Sequence, residues 1–401
     1  TKPFIDDINS EDTDAVFFDG DNDGDLDLYV CHGGRAFSQY SIALNDSYYI
    51  NNNGTFEKLP KAISLPKTIS SSVVKPADYD NDGDLDLFVG ERYKTNLYGK
   101  PCSGYLLEND GNGNFKYMKN DTMENIGMIK NASWVDINND GWQDLIVSGE
   151  WMPIKIFINE NRELVDKTNI YQMENTCGLW SAMEMIDVDH DGDLDIIAGN
   201  KGLNNFFESD MRMYIYDFDN NGFEEQLICK KKGDKYYPIV DKDELISQIP
   251  SLKKKLLYYK DYAQASIESI LSKELLDQAY FVDLKMLKST IFLNENNKFV
   301  SQKLPSELQY SPIYAITAND INKDGYTDLF FGGNQYLVKP RFGRYDASMG
   351  WVLFGSKEES ISTSKPVPLN IKGQIRGLNW VKHNNIKLLI ANKEISKNKK
   401  I

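Results

Sequence analysis

Histidine and cysteine are scarce in this chain, three and four of 401 residues. Cys31, Cys102, Cys177 and Cys229 form no CxxC pair, which excludes a zinc ribbon or a thioredoxin-like redox centre. Disulfides stay open, because spacing does not set connectivity. Long apolar runs are missing too, and none approaches the ~18 residues of a membrane-spanning helix. Basic residues are outnumbered, 45 Lys and Arg against 60 Asp and Glu, and the net charge of −15 argues against nucleic acid as a partner. No GxGxxG or P-loop pattern stands between a strand and a helix. The chain starts at Thr1 without an initiator Met or a signal pattern, so it reads as a mature form or a piece of a longer protein, and its compartment stays open. Aromatics at 12% and charged residues at 26% leave enough apolar material for a sizeable core.

Acid is present in excess, and it recurs at a set spacing. Asp187, Asp189, Asp191 and Asp195 stand at positions 1, 3, 5 and 9 of one stretch, with Gly192 at position 6, where a tight bend needs a residue without a Cβ. Five other stretches repeat it: Asp19, Asp21, Asp23, Asp27; Asp78, Asp80, Asp82, Asp86; Asp136, Asn138, Asp140, Asp144; Asp217, Asp219, Asn221, Glu225; and Asp320, Asn322, Asp324, Asp328. Ca²⁺ takes roughly 6 to 8 hard oxygens, and a loop curling round it offers alternate side chains plus a backbone carbonyl near position 7. Position 7 is Asp25, Asp84, Trp142, Asp193, Phe223 or Tyr326. An EF-hand closes with Glu at position 12, whereas here the last acid comes at position 9 and an apolar strand follows at once. Up to six Ca²⁺ ions are therefore expected, and they would bring the net charge from −15 to −3. Asn lowers the charge of the third, fifth and sixth loops, which should bind more weakly.

Between the loops lie hairpin signals, strand then Asn/Gly turn then strand, at Tyr48 to Phe56, Tyr105 to Phe115, Ile154 to Val165 and Thr290 to Phe299, with a weaker one from Trp351 to Ser360. One unit is thus strand, calcium loop, strand and hairpin. Four-stranded units at this period predict an all-β fold, a single β-propeller over residues 1–401. Calcium loops join the first and second strands of six blades, and Arg376 to Asn392 reads as a seventh, acid-free one; six blades is the alternative. Residues 1–8 are expected to complete that last sheet with 376–401. Loop starts at 187 and 217 are too close for a full blade, and the next, at 320, is too far. Residues 241–288 lose the strand pattern and read as a helical insertion, more readily a lid than a partner-binding helix.

The Asp-x-Asp-x-Asp-Gly-x-x-Asp-Leu loops with Val-Gly or Ala-Gly strands resemble the FG-GAP/VCBS repeats of integrin-α-like propellers. Gly199-Asn200-Lys201-Gly202-Leu203-Asn204, the insertion from Asp241 and Gly343-Arg344-Tyr345-Asp346 resemble, more narrowly, the ASPIC/UnbV-associated VCBS proteins of Bacteroidota-type bacteria. The resemblance implies an exported, seven-bladed, non-catalytic propeller. It also implies a place at the cell surface or outer membrane, secreted or lipid-anchored through a part outside this sequence, often linked with SusC/SusD-type systems. No ASPIC domain is visible, which fits an excised or processed half.

Catalytic material is thin. His190 sits at the unconstrained position 4 of its loop and reads as solvated; His32 and His383 have no Cys or Ser companions. Paired acids that could serve a glycosidase are those a metal would consume. Cys102, beside Pro101, reads as inert or disulfide-bonded before reactive. Trp142, Trp151 and Trp180 are as readily core as functional, whereas Arg341, Arg344 and Tyr345, near Trp351, could form a sugar or peptide platform. The expectation is a calcium-binding module that takes a protein or glycan partner and is not an enzyme. The alternative, a propeller polysaccharide lyase or hydrolase, needs a basic residue beside an exposed metal.

Overall fold

The computed structural model describes residues 4–5, 7–95, 97–357, 360–383 and 386–394. Each unit opens with a strand, turns through the acidic loop and returns in a strand headed by the position-nine acid. The first sheet runs Asp12–Phe18, Asp27–His32, Ser47–Asn52, Thr55–Lys58, antiparallel and in chain order. The second is Ser70–Ala77, Asp86–Tyr93, Gly104–Asn109 and Phe115–Met118, with Ile63–Ser64 added in parallel at its edge. The third is Met128–Val135, Asp144–Met152, Lys155–Glu160 and Glu163–Asp166, with Gly178–Leu179 on its second strand. The fifth, Ile313–Asn319, Asp328–Gly333, Trp351–Leu353 and Val367–Pro368, keeps the same order. The sixth pairs Gln374–His383 with Ile386–Glu394.

The fourth sheet explains the uneven loop spacing. Ala182–Ile186 and Asp195–Gly199 pair as usual, but the next neighbour of Asp195–Gly199 is Thr290–Asn294, followed by Phe299–Lys303. Between them the chain builds a separate sheet, ordered Lys235–Pro238, Glu225–Lys232, Arg212–Tyr216, Tyr280–Asp283, and the fifth acidic loop belongs to it. The expectation that this loop joins the first two strands of an ordinary blade is corrected: its first strand, Arg212–Tyr216, lies inside the sheet between Glu225–Lys232 and Tyr280–Asp283. Chain spacing conceals this, because a strand's partner can lie far off in sequence, as Thr290 does from Ala198. Short helices, Lys242–Gln248, Tyr259–Tyr262, Ile267–Ile270 and Lys273–Gln278, fall between Lys235–Pro238 and Tyr280–Asp283. Among the described residues no helix is long and apolar enough to cross a membrane.

Sheets pack face to face in chain order, each interface with its own apolar cluster. Phe18, Tyr48, Val74 and Leu87 join the first to the second; Phe88, Ile129 and Leu145 the second to the third; Ile146, Trp180 and Ile196 the third to the fourth. Ile197, Ile313 and Leu329 join the fourth to the fifth, and Phe330, Ile375 and Leu378 the fifth to the sixth. Second strands are buried on both faces, which is why they read as unbroken apolar runs instead of alternating ones. Glycines near their ends are steric: a Cβ on Gly90, Gly199 or Gly332 would meet Ile129, Ile313 or Ile375 of the next sheet at 2.6, 2.8 and 2.4 Å. The expected pairing of the chain ends falls partly on residues 1–3, 6 and 395–401, outside the described ones. Phe4, Ile5, Asp7 and Ile8 form turns and bends, not a strand.

Candidate metal loops and a central cavity

All six loops fold alike. Position 1 accepts the position-6 N–H, as in Gly24 to Asp19 at 3.0 Å, Gly141 to Asp136 at 2.8 Å and Gly192 to Asp187 at 3.1 Å. Position 5 accepts the position-7 N–H, at 2.9 Å from Asp25 to Asp23 and 2.8 Å from Phe223 to Asn221. The glycine has open space where a Cβ would sit, so its φ near +90° is what demands it (Gly24 +93°, Gly222 +89°). Position 4 is constrained too, contrary to the free position expected for His190. Asn22, Asn81, Asn139, His190, Asn220 and Lys323 all have φ between 58° and 63°. Asparagine tolerates that region well, and its recurrence in four loops is the signal in the sequence.

Position 9 ties its loop to the rest of the sheet. Asp144 accepts from Ile137 N–H at 3.1 Å and, across the sheet, from Asn159 N–H at 2.7 Å; Asp195 does so from Val188 and Asn294, and Asp328 from Ile321 and Gly355. It therefore locks the loop to the third strand. Third-strand asparagines extend the lock to the neighbouring sheet. Asn109 Nδ2 donates to the carbonyls of Leu85 in its own loop and Gly20 in the first, and Asn159 Nδ2 to those of Gln143 and of Tyr79 in the second. Sequence reasoning passes over these residues, although an Asn stands in each of these hairpins. Asn109→Ala and Asn159→Ala should each cost about 1–3 kcal/mol, because buried carbonyls lose their donors. Urea unfolding with unchanged slope measures this, and Asn51→Ala, whose Nδ2 donates to Leu26 of its own loop and whose Oδ1 accepts from Gly54 of its own hairpin, should cost less.

Among the described residues four clusters could hold a metal ion, with ligand atoms within 4.8 Å of one another: Asp19, Asp21, Asp23; Asp78, Asp80, Asp86; Asp187, Asp189, Asp195; and Asp217, Asp219, Glu225. The residues fit a cation, for Asp19, Asp80, Asp86, Asp187 and Asp219 each bury a carboxylate oxygen that has no hydrogen-bond partner. Burial, with neighbouring acids, pushes Asp86 up to about 8, Asp195 to about 7 and Asp84 to about 6. In the third and sixth loops Asn138 and Asn322 instead turn an amide N–H onto Asp140 and Asp324, each at 2.8 Å, relieving the charge internally. At position 7, Asp25 turns its side chain to accept Asn53 N–H at 2.7 Å, while Asp84, Trp142, Asp193 and Tyr326 contribute a backbone N–H to position 5. Arg162 reaches Asp80 at 3.1 Å and stands in for part of a cation. Arg162→Ala should therefore tighten calcium at the second loop about two- to fivefold, read by calorimetry against an Asp78→Asn control.

The loops mark one end of the sheets, where first strands finish and second strands begin. At the other end, a cavity of about 940 Å³ is lined by all six chain-order sheets, from Thr13 and Asp14 in the first to Gln374 and Arg376 in the sixth. None of the inserted sheet's strands contributes to its wall. Lys130, Lys201, Arg92 and Arg376 lie in it with Glu150, Tyr98 and Tyr314. Burial alone would raise the Glu150 carboxyl, but Arg92 at 2.6 Å and Lys130 bring it down to about 2. The expected platform at Arg341 to Tyr345 is otherwise employed. Arg341 pairs with Asp241 at 3.1 Å and Glu244 at 3.5 Å, docking the first helix of the insertion, while Tyr345 is buried. Arg344 lies over the Tyr336 ring.

The remaining candidates are structural. Trp151 and Trp180 are buried, whereas Trp142 and Trp351 are half-buried. His32 is buried between Ser47 at 2.9 Å and Asp12 at 3.0 Å, and His190 packs edge-on against Tyr326. All four cysteines are free and buried, and burial pushes the Cys102 thiol up, so it is unreactive.

Residues 19–89 and 136–198, which hold the first four loops, match the family model for the FG-GAP-like repeat. Together with the all-β sheet order this supports an FG-GAP repeat protein with a propeller-like fold. No curated protein matches the chain. Among solved structures it is similar to an Agrocybe aegerita lectin described for specific recognition of non-reducing terminal N-acetylglucosamine, at 14% identity and a TM-score of 0.33, over 89% of this chain and 80% of that one. It is also similar to the V. cholerae biofilm matrix protein Bap1, at 9% identity and a TM-score of 0.31, over 92% of this chain and 63% of Bap1.

Proposed function

We propose that the chain is a non-catalytic β-propeller of six blades, held by calcium at its acidic loops, that serves as a binding module on a bacterial cell surface. One observation carries this: the acidic loops occupy one end of the sheets, and a wide polar cavity lined by every chain-order sheet opens at the other. Calcium then has a structural part, neutralising carboxylates at the loop end, and the far end is left for a ligand. Weak sites of this kind fill at about 10⁻⁴ to 10⁻³ M Ca²⁺, which favours an extracellular place. The partner belongs to an envelope complex, of SusC/SusD type on the sequence resemblance, or is a glycan. Calcium-loaded protein should be retained saturably by a glycan array or by solubilised outer-membrane proteins, and released by chelator. Retention by neither would overturn the reading.

A second reading, a polysaccharide lyase, draws on Arg162, a basic group beside the second loop. Absorbance of unsaturated product from acidic polysaccharides would establish it and displace the first.

A further inference from the structure

Register between the first and second strands slips once in four of the six chain-order sheets and twice in the second. The residues left without a partner are Thr13, Ser72, Lys130, Tyr314 and Arg376, and, on the strand beside Ser72, Arg92. A bulge re-aims its side chain, and all six of these line the central cavity. Thr13 and Ser72 use theirs to bridge sheets, donating to the Ser71 and Ile129 carbonyls at 2.8 Å. The others converge. Tyr314 has the Lys130 ammonium 4.7 Å and the Arg376 guanidinium 4.3 Å from its ring centre, and its hydroxyl donates to Gln335, which also accepts from Lys201.

Charge in this cluster does not balance. Arg92 is matched by Glu150, which also accepts from Tyr98 at 3.0 Å, and Arg376 by Glu394 at 2.8 Å. Lys130 and Lys201 form no ion pair with a carboxylate among the described residues. Burial first and the neighbouring cations next push Lys130 down to about 7, and burial brings Lys201 to about 8. Both ammonium groups line the cavity instead of standing on the open surface. The wall is also held under strain: Trp151, with φ of 53°, donates its indole N–H to Tyr98 at 3.2 Å, fixing the Tyr98–Glu150–Arg92 side of the cluster.

Building on the binding-module reading, we propose that this bulge-built cluster binds the carboxylate of a uronic-acid saccharide, with Lys130 and Lys201 as its counter-charges. A carboxylate suits the two unpaired ammonium groups, and Arg376, whose terminal N–H groups already serve Asn334, Gln374 and Glu394, adds positive charge beside them. The cavity is larger than a lone small anion needs, and the aromatic residues Tyr93, Tyr98 and Phe207 lie in its wall, as suits a saccharide.

Calorimetry on the calcium-loaded full chain, with trigalacturonate, its methyl ester and a glutamate octapeptide, tests this. Trigalacturonate alone should bind, more weakly as salt rises, and Lys130→Met or Lys201→Met should lower its affinity at least about tenfold. Lys130→Met should keep a single cooperative unfolding transition in the unliganded protein, which controls for misfolding. Equal binding of ester and acid, an unchanged affinity in Lys130→Met, or binding of the peptide instead would each overturn the inference. If the ester bound and chelator abolished that binding, the binding module would stand without its acid specificity. If glycan array and outer-membrane proteins also failed, both readings would fall.

Discussion

In chelator the protein should melt at least about 10 °C below its midpoint in millimolar Ca²⁺. The acidic loops bury carboxylate oxygens that nothing in the fold satisfies, at Asp19, Asp80, Asp86, Asp187 and Asp219. An ion that binds only the folded loop at a hundredfold excess over its dissociation constant adds about 2.7 kcal/mol per site. Several sites together therefore move the midpoint by many degrees, even at the few degrees or less per kcal/mol of a large chain. Direction with pH is a second check. Asp86, Asp144 and Asp195 have raised pKa values in the cation-free fold, about 8, 6 and 7, with burial as the first cause. Their contribution is fully present below the unfolded value near about 4 and is lost as pH climbs through about 6 to 8. The chelated protein should accordingly lose stability from these groups as pH rises from weakly acidic to weakly basic. The calcium-loaded protein should gain over the same range, because the ion competes with protons for the same oxygens. Differential scanning calorimetry across that range, with and without calcium, reads both. A midpoint indifferent to calcium would remove the metal loops from the account.

Excision of residues 203–284, with a short Gly-Ser link from Gly202 to Lys285, should leave the chain-order sheets folded and remove one calcium. The chain leaves and re-enters the ring at one point, where Gly202 N–H donates to Leu287 at 2.8 Å and Asn200 holds Ser289 and Met286 at 3.0 and 3.1 Å. The inserted part has a core of its own, with Tyr214, Leu227, Leu245, Ile249, Ile267 and Ile270 buried together. Its hold on the ring is a smaller apolar seam, in which Met211, Met213 and Ile215 lie against Met128, Trp151 and Leu179, assisted by the Arg341 and Lys100 ion pairs. The shortened chain should keep its far-ultraviolet spectrum and calcium-dependent melting. It should also self-associate at lower concentration, because Met128, Trp151 and Leu179 become exposed. Loss of all cooperative unfolding would show that the inserted sheet is integral to the ring.

The acidic loops and the strands after them were legible because both depend on neighbours in sequence: a cation needs oxygens at alternate positions, a bend needs glycine, and a doubly buried strand needs an apolar run. The hairpins were legible for the same reason, Asn and Gly being the residues that tolerate positive φ. The place of the fifth loop was not, since its spacing is correct and only the pairing of Ala198 with Thr290 shows that the chain has left one sheet and come back to it. Nor were the bulges. Lys130, Tyr314 and Arg376 lie 62 or more residues apart and resemble any residue at the start of a strand. A one-residue slip in register, which is a property of two paired strands and not of either alone, turns each of them toward the same cavity. Sequence thus determined the chemistry of each loop and the strands it serves, through local spacing. Which loops share a ring, and which side chains meet across it, was decided by long-range pairing and packing, whose partners no local pattern names.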